Sequence, residues 1–200
     1  MGHDGRVQRS RGWLPPVIGL VAFMLTVVAL GTVIADWALR NAEMDAFITA
    51  VESSEAEMTW TQDNVRATFD AAGEPTSPAD KAQLAADLQA IAAEGRDRIA
   101  TAGQAVAAAQ VSPWHQDLLQ AKQAYLTHNK AWQSYLDRAS QDAAEFGKPQ
   151  DEVDSTFMAA EPLFRAAIPR PNGYAIADRV EVIFAEPTPQ GPTQDARLAA

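Results

Sequence analysis

Residues 14 to 35, LPPVIGLVAFMLTVVALGTVIA, place 22 consecutive positions without a single charged side chain. Trp13 and Trp37 bracket the run, and Arg6, Arg9 and Arg11 precede it. At about 1.5 Å per residue, the path from one tryptophan to the other covers about 36 Å, which crosses a hydrocarbon core and leaves both indoles among the headgroups. The run therefore reads as a transmembrane helix. Everything else in the chain is to be placed relative to that anchor.

Charge gives the anchor an expected orientation. Residues 1-13 form an arginine-bearing tail, while the whole chain carries a formal charge of −10. Under the positive-inside rule the tail stays cytoplasmic and the remainder faces the other side of a plasma membrane. A cleaved signal sequence is the competing reading, because Val33-Ile34-Ala35 ahead of Asp36 has the small-residue spacing of a cleavage site. A secretory apolar core runs only about 7 to 15 residues, and the paired tryptophans suit a permanent span better.

The 200 residues contain no cysteine. Disulfides, thiolate metal sites and cysteine nucleophiles are thereby excluded together, and stability must come from packing. Forty alanines, and twelve arginines against four lysines, suggest a GC-rich bacterial genome. An acidic exterior argues against nucleic acid or an anionic membrane surface as a ligand, since both would repel it.

Beyond the anchor the apolar residues recur at threes and fours. Met44, Phe47, Ile48, Val51, Met58, Val65 and Phe69 predict one amphipathic helix, with Glu55 and Gln62 standing where apolar residues were due. No glycine or proline lies between Thr32 and Ala72, so the membrane helix is expected to run on unbroken. Gly73 to Pro78 ends it. Ser77-Pro78-Ala79-Asp80 starts a second helix with a serine cap, a first-turn proline and an acid at the positive end of the dipole. Its stripe is Leu84, Leu88, Ile91, Ile99 and Val106.

Ser112-Pro113 repeats the start signal and predicts a third helix with Trp114, Leu118, Ala121, Tyr125, Trp132, Leu136, Ala139, Ala143 and Phe146 on its inner face. Small side chains on the second helix and rings on the third should interdigitate as direct antiparallel neighbours. Gly147-Lys148-Pro149 stops the third helix, a fourth spans Asp151 to about Ile168 with a kink at Pro162, and Ile176, Val180, Ile183 and Phe184 suggest a short fifth rather than a strand. Residues 187-200, rich in Pro, Thr, Gln and Gly, read as a disordered tail.

Chemistry is sparse. His115 and His128 point about 140° apart on one helix, and no Glu-x-x-His or His-Glu-x-x-His motif exists to hold a metal. No Gly-x-Ser-x-Gly elbow, Ser-x-x-Lys pair or phosphate-binding glycine loop occurs, and Asp151, Glu152 and Asp154 lack the spacing of a calcium hand. No catalytic residue, metal ligand or cofactor is expected. Tyr125, His128, Asn129 and Trp132 are the one candidate ligand pocket, a polar pair within an aromatic wall, against the plainer reading of a histidine at the edge of a packed face. Glu55 and Gln62 either meet Arg96 or Arg98 across the core or sit at the stripe's margin in solvent; the margin is the expectation.

The expected architecture is all-α, with a transmembrane helix at 14-35, an extracytoplasmic antiparallel bundle of three long helices and a shorter broken fourth at 36-186, and a tail. In that layout, in its alanine and arginine bias and in the twin Ser-Pro caps, the chain resembles the small single-pass membrane proteins of unknown function found in actinobacteria. That resemblance implies no activity and no site residues. A looser likeness is to the helical sensory domains of bacterial chemoreceptors, from which this chain departs in lacking a second span. The expected function is a non-enzymatic, membrane-anchored interaction or scaffolding module of the cell envelope, bound to the bilayer through Leu14-Ala35 and to a membrane or envelope protein. The alternative is a small-ligand sensor that signals through a partner.

Overall fold

The computed structural model describes residues 14–171 and 173–185, with side-chain surroundings from Leu20 onward. Five α-helices follow one another, α1 (Leu14–Ala72), α2 (Pro78–Ala108), α3 (Gln116–Gln141), α4 (Asp151–Ala167) and α5 (Tyr174–Ile183), with a short 3-10 helix at Ala143–Gly147. Among the described residues there is no strand. The tails at 1-13 and from Glu186 lie outside the described residues, and with them the reading of 187-200 as disordered.

The chain divides at Leu39 and Arg40 into two units. In the first, α1 is long and apolar enough to cross a membrane. Its side chains from Leu20 to Ile34 are exposed throughout, Phe23 by 64% and Val33 by 65%. The hydroxyls of Thr26 and Thr32 donate back to the carbonyls of Ala22 and Ala29, at 2.9 and 2.8 Å. Polar groups satisfied within the helix are what a hydrocarbon solvent demands.

The second unit begins with the amphipathic part of α1. All seven residues of the expected stripe, Met44 through Phe69, are buried. Full burial of a side chain such as Phe47 is worth roughly 1.5 to 3 kcal/mol. The helix stops at Gly73, whose φ of 59° is the left-handed conformation that lacks a penalty only in glycine.

Helix α2 starts as its sequence predicts. Ser77 Oγ accepts from the Asp80 amide and Asp80 Oδ2 accepts from the Ser77 amide, each at 3.1 Å, a complete capping box. Its buried face includes Ala92, Gly95, Ala102 and Gly103. A Cβ on Gly95 would lie 2.5 Å from Thr61 Oγ1, so this glycine is what lets α1 and α2 approach there. Contacts between α2 and α3 pair Gln89 with Gln141, Arg96 with Asp137, and the Ala107 and Ala109 carbonyls with Lys122. The α3 number falls as the α2 number rises.

Three corrections concern α3. It begins at Gln116, not at Ser112, because the Ser112 amide and hydroxyl are both taken by Glu43 of α1. Trp114 consequently lies in the turn before the helix, 61% exposed, instead of on the inner face. The helix also ends earlier than Gly147: Asp142 turns extended and caps the 3-10 helix that carries Ala143 and Phe146. Helix α4 continues through Pro162, which is exposed, and α5 is helical. Around Phe164 the rings of Phe47, Tyr125 and Phe184 gather at 5.1, 5.9 and 5.0 Å, joining α1, α3, α4 and the end of α5 in one core cluster.

Candidate functional site

Helix α3 holds the four candidate pocket residues, and the structure buries all of them. Tyr125 is 0% exposed, His128 2%, Asn129 1% and Trp132 5%. They do not form a single group. Trp132 packs with Met58, Ala92, Ile99 and Tyr135 in an apolar cluster, whereas the other three meet polar partners on α1 and α4.

Two adjacent residues of α1 supply most of that polarity. The Tyr125 hydroxyl donates to Glu55 Oε1 at 2.7 Å, and the Ser54 hydroxyl donates to Asn129 Oδ1 at 3.0 Å. Glu55 thus turns inward to a phenol on α3. It meets neither arginine, since Arg98 pairs with Glu57 and Glu94 and Arg96 with Asp97 and Asp137, and its side chain is half-buried. Gln62 does sit exposed at the margin. The Asn129 amide nitrogen is buried without a hydrogen-bond partner and lies toward Gly103, where an added Cβ would come within 3.2 Å of it.

On the opposite side, His128 Nδ1 lies 3.2 Å from Thr156 Oγ1 of α4. The threonine hydroxyl also lies 2.8 Å from the Glu152 carbonyl and 2.9 Å from that of Val153, so the imidazole is tied to the first turns of α4. The ring also packs 5.0 Å from Phe157.

Burial sets the electrostatics. It pushes the Glu55 carboxyl up to about 7, against the opposing pull of the Tyr125 hydrogen bond. It pushes His128 down to about 4, opposed by a hydrogen bond to the Val153 backbone. The Tyr125 phenol is raised by burial and by the neighbouring carboxylate. At neutral pH the histidine is neutral and Glu55 is close to half-protonated. The hydrogen bond between the Tyr125 hydroxyl and this carboxyl ties α3 to α1.

A second polar cluster escaped the sequence. Glu43 accepts from the Ser112 amide at 3.1 Å and from the Ser112 hydroxyl, and its other oxygen lies 2.6 Å from His115 Nδ1. His115 is 3% exposed. Burial raises the Glu43 carboxyl, but the bonds from Ser112 and His115 outweigh it, and the net shift is downward. Nearby Arg40 pairs with Asp117 and donates to the Ala167 carbonyl at 3.2 Å. Arg179 of α5 forms a third, with Glu52 at 2.7 Å, Asp45, and Thr49 at 2.9 Å on α1. Partners some 70 to 130 positions apart leave no local pattern to read.

Among the described residues no group of three or more His, Asp or Glu side chains is placed to hold a metal ion. No family model, curated protein or solved structure matches the chain.

Proposed function

We propose that this protein is a non-enzymatic, membrane-anchored interaction or scaffolding module of the bacterial cell envelope. The observation that carries the reading is the closed interior of the second unit: Tyr125, His128, Asn129 and Trp132 are at most 5% exposed, and the first three are held by side chains of α1 and α4. A unit whose interior is committed to its own helices acts through its surface. The exposed apolar part of α1 supports anchoring, and the arginines at Arg6, Arg9 and Arg11 favour a cytoplasmic tail with the helical unit as an extracytoplasmic antiparallel bundle. The partner is a membrane or envelope protein.

Photo-crosslinking in intact cells, from probes at exposed positions such as Asp63 on α1 and Ser134 on α3, followed by mass spectrometry, tests this. One dominant envelope protein is expected. Crosslinks only within the chain, or none, would overturn the proposal.

A second reading, a sensor of small molecules, draws on the unpartnered Asn129 nitrogen and on the shifted Glu55 and His128. It requires the helices to part. Tryptophan fluorescence followed against extracytoplasmic metabolites would then show a saturable change that Trp132→Ala removes.

A further inference from the structure

The exposed aromatic side chains of the second unit are unevenly placed. Among its described residues the exposed large apolar side chains are Trp114, Met158, Tyr174 and Val182. Met158 lies within α4 and Val182 within α5, and single exposed aliphatic residues are ordinary on any surface. The two aromatics, by contrast, both sit at the end of the unit where its chain begins.

Connections on that end place them. Arg40 opens the unit; it pairs with Asp117, in the first turn of α3, and donates to the carbonyl of Ala167, the last residue of α4. Trp114 lies in the turn held by Glu43, its ring 5.8 Å from that of His115. Tyr174 opens α5 directly after Gly173, where an added Cβ would come 2.4 Å from the Pro169 carbonyl, so the start of α5 is folded against the end of α4. Arg170, in the same connection, is exposed. The opposite end, at Gly73 to Ser77 and Asp142 to Pro149, offers no exposed large apolar side chain.

Arg40 also follows Ala35 by five peptide links, which reach at most about 18 Å. Whatever the orientation of the unit, the end that carries Arg40 cannot leave the neighbourhood of the apolar segment's terminus. Trp and Tyr favour the bilayer interface because a flat apolar ring carries a polar N–H or O–H that the headgroup layer can satisfy, and an exposed Arg beside them meets lipid phosphate.

We propose that the end of the helical unit bearing Trp114, Arg170 and Tyr174 is a lipid-contacting surface that lies in the headgroup layer of the membrane. The proposal rests on the anchored reading of α1. Its ligand is a phospholipid interface, contacted by two ring edges and one guanidinium. Such a surface would hold the unit in a fixed attitude and direct its flanks toward a partner in the same membrane.

The absence of cysteine allows the test in the full chain. Single nitroxide labels are placed at Gln116→Cys and Ala175→Cys, beside the two rings, with Val28→Cys within the span and Glu74→Cys at the far end as references. The proteins are reconstituted in nanodiscs of phosphatidylcholine, and collisions with oxygen and with a water-soluble nickel chelate are measured. The expected oxygen-to-nickel ratio at Gln116 and Ala175 falls between those of Val28 and Glu74, and Trp114→Ala with Tyr174→Ala returns it to the Glu74 value while Val28 is unchanged. Ratios at both rim positions equal to Glu74, with Val28 lipid-like, would overturn the surface and leave the anchor standing. A water-like Val28 would overturn both.

Discussion

Ser77 and Ser112 each precede a proline at the approach to a helix, and they end in different structures. At Ser77 the answer is local: Asp80, three residues on, returns the hydrogen bond, and α2 begins at Pro78. At Ser112 the third residue on is His115, which does not close a capping box; both donors of the serine turn to Glu43, 69 positions earlier. The helix then starts only at Gln116. A start signal written in serine and proline is therefore conditional on the residue that completes it, and an acid brought by the fold can claim the serine first.

The comparison breaks most easily at Glu43. Its side chain is only 10% exposed, and replacing it with alanine strips an acceptor from the Ser112 amide, the Ser112 hydroxyl and His115 together. Leaving one buried and two partly buried donors unpaired should cost about 1 to 3 kcal/mol in unfolding experiments followed by circular dichroism. Glu43→Gln, which keeps an acceptor oxygen, should cost clearly less. A loss under about 0.5 kcal/mol for Glu43→Ala, within the range of ordinary surface changes, would mean that Ser112 does not depend on its distant partner.

Glu55 and His128 extend the contrast to groups whose partners are likewise remote, and pH separates them. With Glu55 raised from 4.5 to about 7, the folded state holds a proton that the unfolded chain has released, so stability falls as pH rises through that window, by up to about 3 kcal/mol. His128, lowered from 6.5 to about 4, works in the other direction: the unfolded chain binds the proton first, and stability is lost as pH falls from 6.5 toward 4. The two windows overlap from about pH 4.5 to 6.5, where their opposite slopes cancel, so the wild-type midpoint should vary little across that range. Glu55→Gln leaves the His128 slope alone, and its thermal midpoint should rise with pH across that range; His128→Gln leaves the Glu55 slope alone, and its midpoint should fall. A flat profile for His128→Gln from about pH 5 to 7 would contradict the desolvation of Glu55.

What the sequence made legible follows the same division between near and far. The stripe from Met44 to Phe69 is a period of 3.6 in one helix, so every buried member was readable, as was the capping box at Ser77. The four residues proposed for a pocket are all buried on α3, but whether they line a cavity depends on what covers them. That cover comes from Ser54, Glu55 and Thr156, on helices whose facing rotation no local period states. Glu55 is the instructive failure. As a carboxylate in an apolar stripe it suggested either an arginine partner or an exposed margin; the fold leaves it half-buried with the Tyr125 hydroxyl as donor, and desolvation raises its carboxyl against the pull of that bond. Trp114 failed for the reason Ser112 did, since a helix shifted four residues later removes its first turn from the inner face.

Smaller effects belong to the local partner. Ser77→Ala removes one acceptor at an exposed helix end and should cost about 1 kcal/mol, the usual worth of a serine cap. Asp80→Ala should cost a similar or lesser amount. Because the two side chains complete one box, the double substitution should cost less than their sum.

The smallest expected quantity sharpens the comparison most, because it is a difference of differences. In a double-substitution cycle Ser112→Ala and Glu43→Ala share a hydrogen bond and should couple by about 1 kcal/mol or more. Ser77→Ala and Glu43→Ala share no partner, and their coupling should vanish within about 0.5 kcal/mol, the scatter of independent sites. Both cycles use the same Glu43 variant, so any general loosening caused by Glu43→Ala enters each equally and cancels from the contrast. Equal coupling in the two would show that Glu43 acts on the unit as a whole; coupling confined to Ser112 would show that a single distant carboxylate decides where α3 begins.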